Sequence, residues 1–372
     1  MTWLKKKPET KKDVIKEISN IEKRFEVFRI GTALLISMVL IILVIALISD
    51  NPLGAIRELL LGPLQSVRRM GNVIELMIPL TFTGLAITMV FKTNRFNLAS
   101  EGAFYMATMV AVLVALNSPF PPIITIILGL LAGFIVGGIL GLIPALINLK
   151  FGANELVVSL MQNYIVAFFV QYLLNYVVRD PNSYAIQSYA LPEGVSLFRF
   201  IPGTRIHVGL ILLIIVVVIS YIILYRTKWG YVLRVTGLNE KFAKYSGVKV
   251  AFVIIIAQVL GTAIAGLGGA VEMFGIYNTF KFAASPGYGW DGIIVATLAK
   301  LNPAFVPVAA LFIAYIRVGA DVLNRSTNIP PEIVSIVQAI IILFIAAKAF
   351  MKAAKEKKIV EKSREVASEG GN

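Results

Sequence analysis

Long apolar runs alternate with short polar punctuation along this chain, and that alternation sets the fold class. A helix needs about 20 mostly apolar residues to cross roughly 30 Å of hydrocarbon. Nine runs qualify, near residues 31–49, 72–91, 97–116, 123–148, 155–178, 207–225, 250–276, 303–323 and 333–350. A tenth, 290–299, is too short to cross comfortably. The pattern predicts an all-α polytopic membrane protein of about ten transmembrane segments, one of them short or re-entrant. The first run follows a charged stretch of about 30 residues and no small-residue cleavage site closes it, so it reads as a span and not as a secretory leader. Between the first two runs, residues 50–71 hold Pro52, Gly62 and Pro63 and an amphipathic stretch from Ile56 to Val67, suited to lying along the interface.

Composition agrees with this pattern, and charge adds orientation. Only 15% of residues are charged and 58% are hydrophobic, where a soluble domain carries about 25% charged residues. The net charge of +14 would suit a nucleic-acid surface if it lay on one folded face, but it lies on tails and connections. Residues 1–29 carry nine Lys and Arg, 348–372 carry seven and the connection 226–249 carries six. Cationic flanks stay in the cytoplasm. Both termini and that connection therefore read as cytoplasmic, which requires an even number of crossings and so counts the short piece as one of ten. The domain layout is a basic cytoplasmic tail at 1–29, a transmembrane domain at 30–350 and a charged cytoplasmic tail at 351–372.

Several chemistries drop out. With no Cys, neither thiolate ligands nor a Cys nucleophile exist, and one histidine, His207, leaves no metal cluster; it reads as an interfacial His. Gly never precedes Lys, so no phosphate-binding loop is present and this chain should not hydrolyse ATP. No cofactor and no metal are expected.

Ionisable groups inside apolar runs are costly and so become functional candidates. Glu101 ends the run Phe96-Asn97-Leu98-Ala99-Ser100-Glu101 before Gly102, and Asp291 sits in Gly289-Trp290-Asp291-Gly292. Each acid precedes a Gly at the start of an apolar helix, and each has a Gly-Leu upstream, at Gly84-Leu85 and Gly266-Leu267, which reads as an internal, inverted repeat. Both acids fit the first helical turn, where a carboxylate meets the positive end of the dipole; contact with cargo is the sharper alternative. Either way, a helix N-terminus meant for an anion would not carry its own carboxylate, so the cargo reads as neutral or cationic. Asn154 and Glu155 open a further run, with Gln162 and Asn163 two turns on as hydrogen-bonding groups between helices. Arg317 and Asp321 stand four residues apart and read as a self-neutralising pair. Rows of small residues, Gly129, Gly133, Gly137 and Gly141, and Gly261, Ala265 and Gly269, predict close helix packing. Tyr277, Phe280, Phe282, Tyr288 and Trp290 read as an interfacial belt, with stacking on a ring-shaped cargo as the alternative. The cytoplasmic segment 234–248 predicts a short helix with Asn239 as N-cap and Gly247 as stop, presenting Phe242 and Tyr245 around Ala243 as a docking face.

These pieces resemble the membrane permease subunits of bacterial-type ABC importers, in the branch serving branched-chain amino acids, ribose-type sugars and nucleosides. The resemblance rests on Phe96 through Gly102, on Asn154-Glu155 with Leu160-Met161-Gln162-Asn163-Tyr164, on Gly237-Leu238-Asn239 through Tyr245-Ser246-Gly247, and on Gly289 through Ile293. It is greatest to the nucleoside and simple-sugar permeases. Ala99 and Ala103 stand where that family commonly has Gly and Gln. The resemblance implies a cytoplasmic ATP-binding subunit on the loop around Gly237, Asn239, Phe242, Ala243, Tyr245 and Gly247, a second permease subunit forming a heterodimer, and an extracytoplasmic substrate-binding lipoprotein. It implies a solute path near Asn97, Glu101, Asn154, Glu155, Asn163, Trp290 and Asp291, in the cell membrane, with the lipid bilayer and not nucleic acid as its surroundings. Nucleosides come first as cargo, with simple sugars or branched-chain amino acids behind. Two other classes stand against it: an ion-coupled secondary transporter, which also uses repeats and buried acids, and an intramembrane aspartyl enzyme, for which a second facing Asp is missing.

Overall fold

The computed structural model describes residues 52–326 without a break, and Val39, Leu43 and Ala339 as isolated helical positions. The expected spans 31–49 and 333–350 and both charged tails lie outside the described residues. Glu58–Val322 form one compact unit; a second takes in the chain on either side, of which residues 52–57 and 323–326 and the three isolated positions are described, as helix. Among the described residues the fold is all-helical, with isolated bridges such as Arg179 with Ser188 in place of strands.

Among the described residues, seven helices are long and apolar enough to cross a membrane. They are α2 (Val67–Phe91), α3 (Ser100–Asn117), α4 (Pro122–Phe151), α5 (Glu155–Tyr176), α6 (Gly209–Arg226), α9 (Val250–Ile276) and α11 (Val306–Ser326). The remaining helices are shorter: α1 (Pro52–Leu61), α7 (Lys228–Leu238), α8 (Glu240–Tyr245) and α10 (Tyr288–Leu298). At 1.5 Å per residue α10 reaches about 16 Å, half a bilayer core. It stops where the Leu301 N–H reaches back to the Ala296 carbonyl at 2.8 Å, with Lys300 and Leu301 at positive φ.

Local chemistry explains the boundaries. Pro122 opens α4 at a position that needs no amide donor, and Gly152, at φ 67°, closes it in the left-handed region. Ser66 caps α2, accepting from the Arg69 N–H at 3.2 Å, so that helix starts five residues before the apolar run at 72. The run near 97 behaves oppositely. Residues 92–99 form a polar turn with Asn94 at φ 59°, and helix begins only at Ser100 because Asn97 spends its side chain on its neighbours. The amphipathic stretch from Ile56 is split into α1 and a 3-10 turn at Gly62–Leu64, where Pro63 fixes the bend.

Helices α2 and α3 are the most enclosed, α9 and α11 follow, and α4, α5 and α6 leave apolar faces outward. The glycine rows do pack helices: a methyl group at Gly137 would lie 2.5 Å from the Thr262 carbonyl oxygen, and one at Gly261 would lie 2.7 Å from that of Ala86. Ala265 meets Ala86 and Ala103 in a small-residue seam of its own.

Two expectations are corrected. His207 is fully buried, not interfacial: its ring fills the space left by Gly209, where a methyl would sit 2.5 Å from the ring, and packs on Gly275. It accepts from the Gly209 N–H at 3.1 Å, and burial, with the Arg199 charge second, pushes its pKa down to about 4. Of the aromatics read as a belt, Phe280 packs inward instead. Phe280 is buried and stacks on Tyr105 with centroids 5.8 Å apart, Phe282 meets both edge-on, and the connection 179–208 clamps this cluster through Ser188 and Leu191.

Candidate functional site

Glu101 sits in the first turn of α3 but caps a different helix. Its carboxylate accepts from the Gly287 N–H at 2.8 Å, the Gly289 N–H at 2.5 Å and the Ser285 hydroxyl, so it closes the positive end of α10. Only Gly fits at 289, because a methyl there would lie 2.5 Å from the Glu101 backbone. Asp291, one turn further along α10, meets the Arg317 guanidinium of α11 at 2.5 Å. Arg317 thus reaches across to Asp291 on another helix, a partner that its spacing from Asp321 does not reveal. Glu101 and Asp291 are thus brought to one place, the start of α10, Glu101 held by two amides and a hydroxyl and Asp291 by Arg317 through one oxygen, its other oxygen being buried without a hydrogen bond.

A second polar group forms on the turn 92–99. Asn97 donates to the Gln258 side chain at 2.5 Å, and Gln258 donates in turn to Glu155 at 2.8 Å. Arg95 lies 3.7 Å from Glu155 and 2.8 Å from Glu240 of α8. Asn163 accepts from the Gly102 N–H at 3.0 Å and donates to the Leu98 carbonyl at 2.9 Å, while Ser159 accepts from the Leu98 N–H at 3.0 Å. Asn97, Glu155 and Asn163 therefore hold the entry to α3. Asn154 does not join them; it is exposed and caps α5 through the Leu156 N–H at 2.9 Å. Trp290 is also apart, 45% exposed on the outside of α10. Ala99 and Ala103 are fully buried in helix packing.

The segment 226–249 makes two helices where the sequence predicts one. Thr227 caps α7 through the Gly230 N–H at 3.1 Å, and Asn239 both ends α7 and caps α8 through the Phe242 N–H at 3.0 Å. Gly237 is needed for contact: a methyl there would overlap the Lys92 carbonyl, with Thr93 Cα at 3.2 Å. Gly247, at φ 83°, ends the segment. Ala243 is buried beneath, leaving Leu238, Phe242 and Tyr245 exposed as an apolar face. Lys92, half-enclosed and facing the Arg234 charge, has its ammonium pKa lowered, first by burial and then by that charge.

Sequence reasoning missed five residues here. Arg95, Gln258 and Ser285 carry no motif of their own, and their partners are distant in the chain. Glu75 and Glu272 had a signal, an acid inside an apolar run. Glu272 is 1% exposed and accepts from Tyr288 at 3.3 Å, while Glu75 meets Arg205 at 3.4 Å.

Residues 69–346 match the family of permease components of branched-chain amino acid transport systems. The chain belongs to that family. It is similar to the guanosine ABC transporter permease protein of Bacillus subtilis, 31% identical with 75% of this chain and 81% of that one covered. The nucleoside ABC transporter permease protein of Lactococcus lactis is 28% identical, covering 86% and 91%. The glucose ABC transporter permease protein of Haloferax volcanii is 28% identical, covering 83% and 84%. This permease is thus a multi-pass membrane transport subunit and not an enzyme, and the secondary-transporter and intramembrane-enzyme alternatives fall away.

Proposed function

We propose that this permease forms the membrane path of an ATP-driven importer for small uncharged polar solutes, nucleosides first. ATP is hydrolysed on a separate cytoplasmic subunit. One observation carries the choice of cargo charge. The positive end of α10 is already occupied by Glu101, and Asp291 is already paired with Arg317, so neither of these two groups offers a charged cargo a free counter-charge. The relatives named for guanosine, nucleosides and glucose also carry uncharged cargo, which supports the reading and keeps simple sugars as the second one.

The rest of the layout follows from the charge pattern and the family. Ten segments cross 30–350, with α10 as the short one and the Glu101 and Asp291 halves inverted; the tails 1–29 and 351–372 face the cytoplasm. The ATP-binding subunit docks on the α7–α8 segment from Gly237 to Gly247, a second, non-identical permease completes the pore, and an external lipoprotein delivers solute past Asn97, Glu101, Glu155, Asn163 and Asp291, with Asn154 and Trp290 standing off this line. The test is uptake of labelled guanosine, glucose and leucine by the whole complex in liposomes. Guanosine uptake that needs ATP and is displaced by other nucleosides is expected. Preference for glucose or leucine would move the cargo to the alternative classes.

A further inference from the structure

The turn 92–99 touches the proposed docking segment at one end and the solute path at the other. At the first end, Gly237 of α7 lies against the Lys92 carbonyl and Glu240 of α8 pairs with Arg95 at 2.8 Å. At the second, Asn97 and Leu98 bond to α5 and α9 through Gln258, Ser159 and Asn163. Three residues beyond Leu98 stands Glu101, whose carboxylate holds the start of α10. The turn is therefore a short, hydrogen-bonded link from the surface helix α8 to the seat of α10.

Arg95 is the member of this link with two possible partners. It holds Glu240 closely and Glu155 loosely, at 3.7 Å, and the Glu155 oxygen facing it is buried without a hydrogen bond. An exposed ion pair adds little to folding, so the Glu240 contact gains its meaning from where it leads. A shift of α8 that lengthens the Arg95–Glu240 pair frees the guanidinium to close on Glu155, and Glu155 is bound through Gln258 to Asn97. A residue placed between two partners in this way can supply the switch between two arrangements that coupling between distant sites requires.

We propose that Arg95 is a positioning residue that couples movement of the α7–α8 docking segment to the solute path, by sharing its guanidinium between Glu240 and Glu155. This rests on the reading that an ATP-binding subunit docks on α7–α8. The test uses the whole complex in liposomes with labelled guanosine, and measures uptake, ATP hydrolysed per guanosine imported, and the amount of ATP-binding subunit retained. For Arg95→Gln, uptake is expected to fall by about fivefold or more, the scale of a coupling interaction, with a matching rise in ATP per guanosine and the subunit retained. Glu155→Gln and Glu240→Gln should each move the ratio in the same direction, and Arg95→Gln with Glu155→Gln should be no worse than Arg95→Gln, because both cut one link. Wild-type ratios in Arg95→Gln, or losses that add independently, overturn the proposal. If Arg95→Gln does not assemble, Arg95→Lys with the Glu155→Gln cycle decides it by the same criteria. Absence of ATP-dependent uptake in the wild type strikes the transport reading instead, and loss of the subunit in every variant strikes a role beyond docking.

Discussion

The Glu101 carboxylate receives the Gly287 and Gly289 amides at 2.8 and 2.5 Å, so Glu101→Ala leaves two donors at the buried start of α10 without an acceptor. Each such donor costs about 1–3 kcal/mol. Glu101→Ala should therefore lower the melting temperature in detergent by several degrees, whereas Glu101→Gln, which keeps an acceptor, should lose about half as much. Equal melting of both variants would mean that Glu101 does not hold α10. His207 allows a test by pH. Its folded pKa is lowered to about 4 by burial, with Arg199 adding to it, against about 6.5 in the unfolded chain. Above pH 6.5 both states are neutral; as pH falls from there towards 4, only the unfolded state takes the proton, so stability present above 6.5 is progressively lost, by at most about 3 kcal/mol. His207→Asn, which can still accept from Gly209, should flatten the melting curve over that window relative to wild type. An unchanged difference between pH 7 and 5 in the variant would remove His207 from the account.

At the level of elements, what could be read from sequence depended on whether the cause was local. Apolar runs and caps are local, and the seven long helices, the Asn239 cap and the Gly247 stop were legible from them. Glu101 was legible as a helix-start acid but not as the cap of α10, 184 positions away from its Ser285 partner, because nothing along the chain marks which N-terminus a carboxylate will face. Arg317 was legible as a cation beside Asp321 on its own helix but not as the partner of Asp291, because spacing shows only neighbours on the same helix. The glycine rows were legible as packing surfaces, since lack of a side chain has the same meaning whatever the partner. The consequence is testable at Gly137, where a methyl would lie 2.5 Å from the Thr262 carbonyl across α4 and α9. Gly137→Leu should force these helices apart and cost about 1–3 kcal/mol or more, seen as loss of monodisperse protein on gel filtration. Wild-type yield and melting in Gly137→Leu would show that the seam tolerates repacking.

For the whole molecule, sidedness decides what the α7–α8 segment can meet. The chain has a surplus of fourteen positive charges, and six cations lie in the connection 226–249 that carries the docking face. If cationic connections stay in the cytoplasm, that face meets a cytoplasmic subunit and the connection 179–208 faces outward. The natural chain contains no Cys, so a single introduced thiol reports its own position without background. Tyr184, fully exposed in 179–208, and Tyr245, 91% exposed on α8, suit this use because replacing them disturbs no buried contact. In intact cells a membrane-impermeant maleimide should label Tyr184→Cys and leave Tyr245→Cys unlabelled until the membrane is opened. Bound ATP-binding subunit should then protect Tyr245→Cys in the opened preparation. Labelling of Tyr245→Cys in intact cells would invert the molecule in the membrane, and with it the assignment of α7–α8 as the docking segment and of Arg95 as the residue behind it.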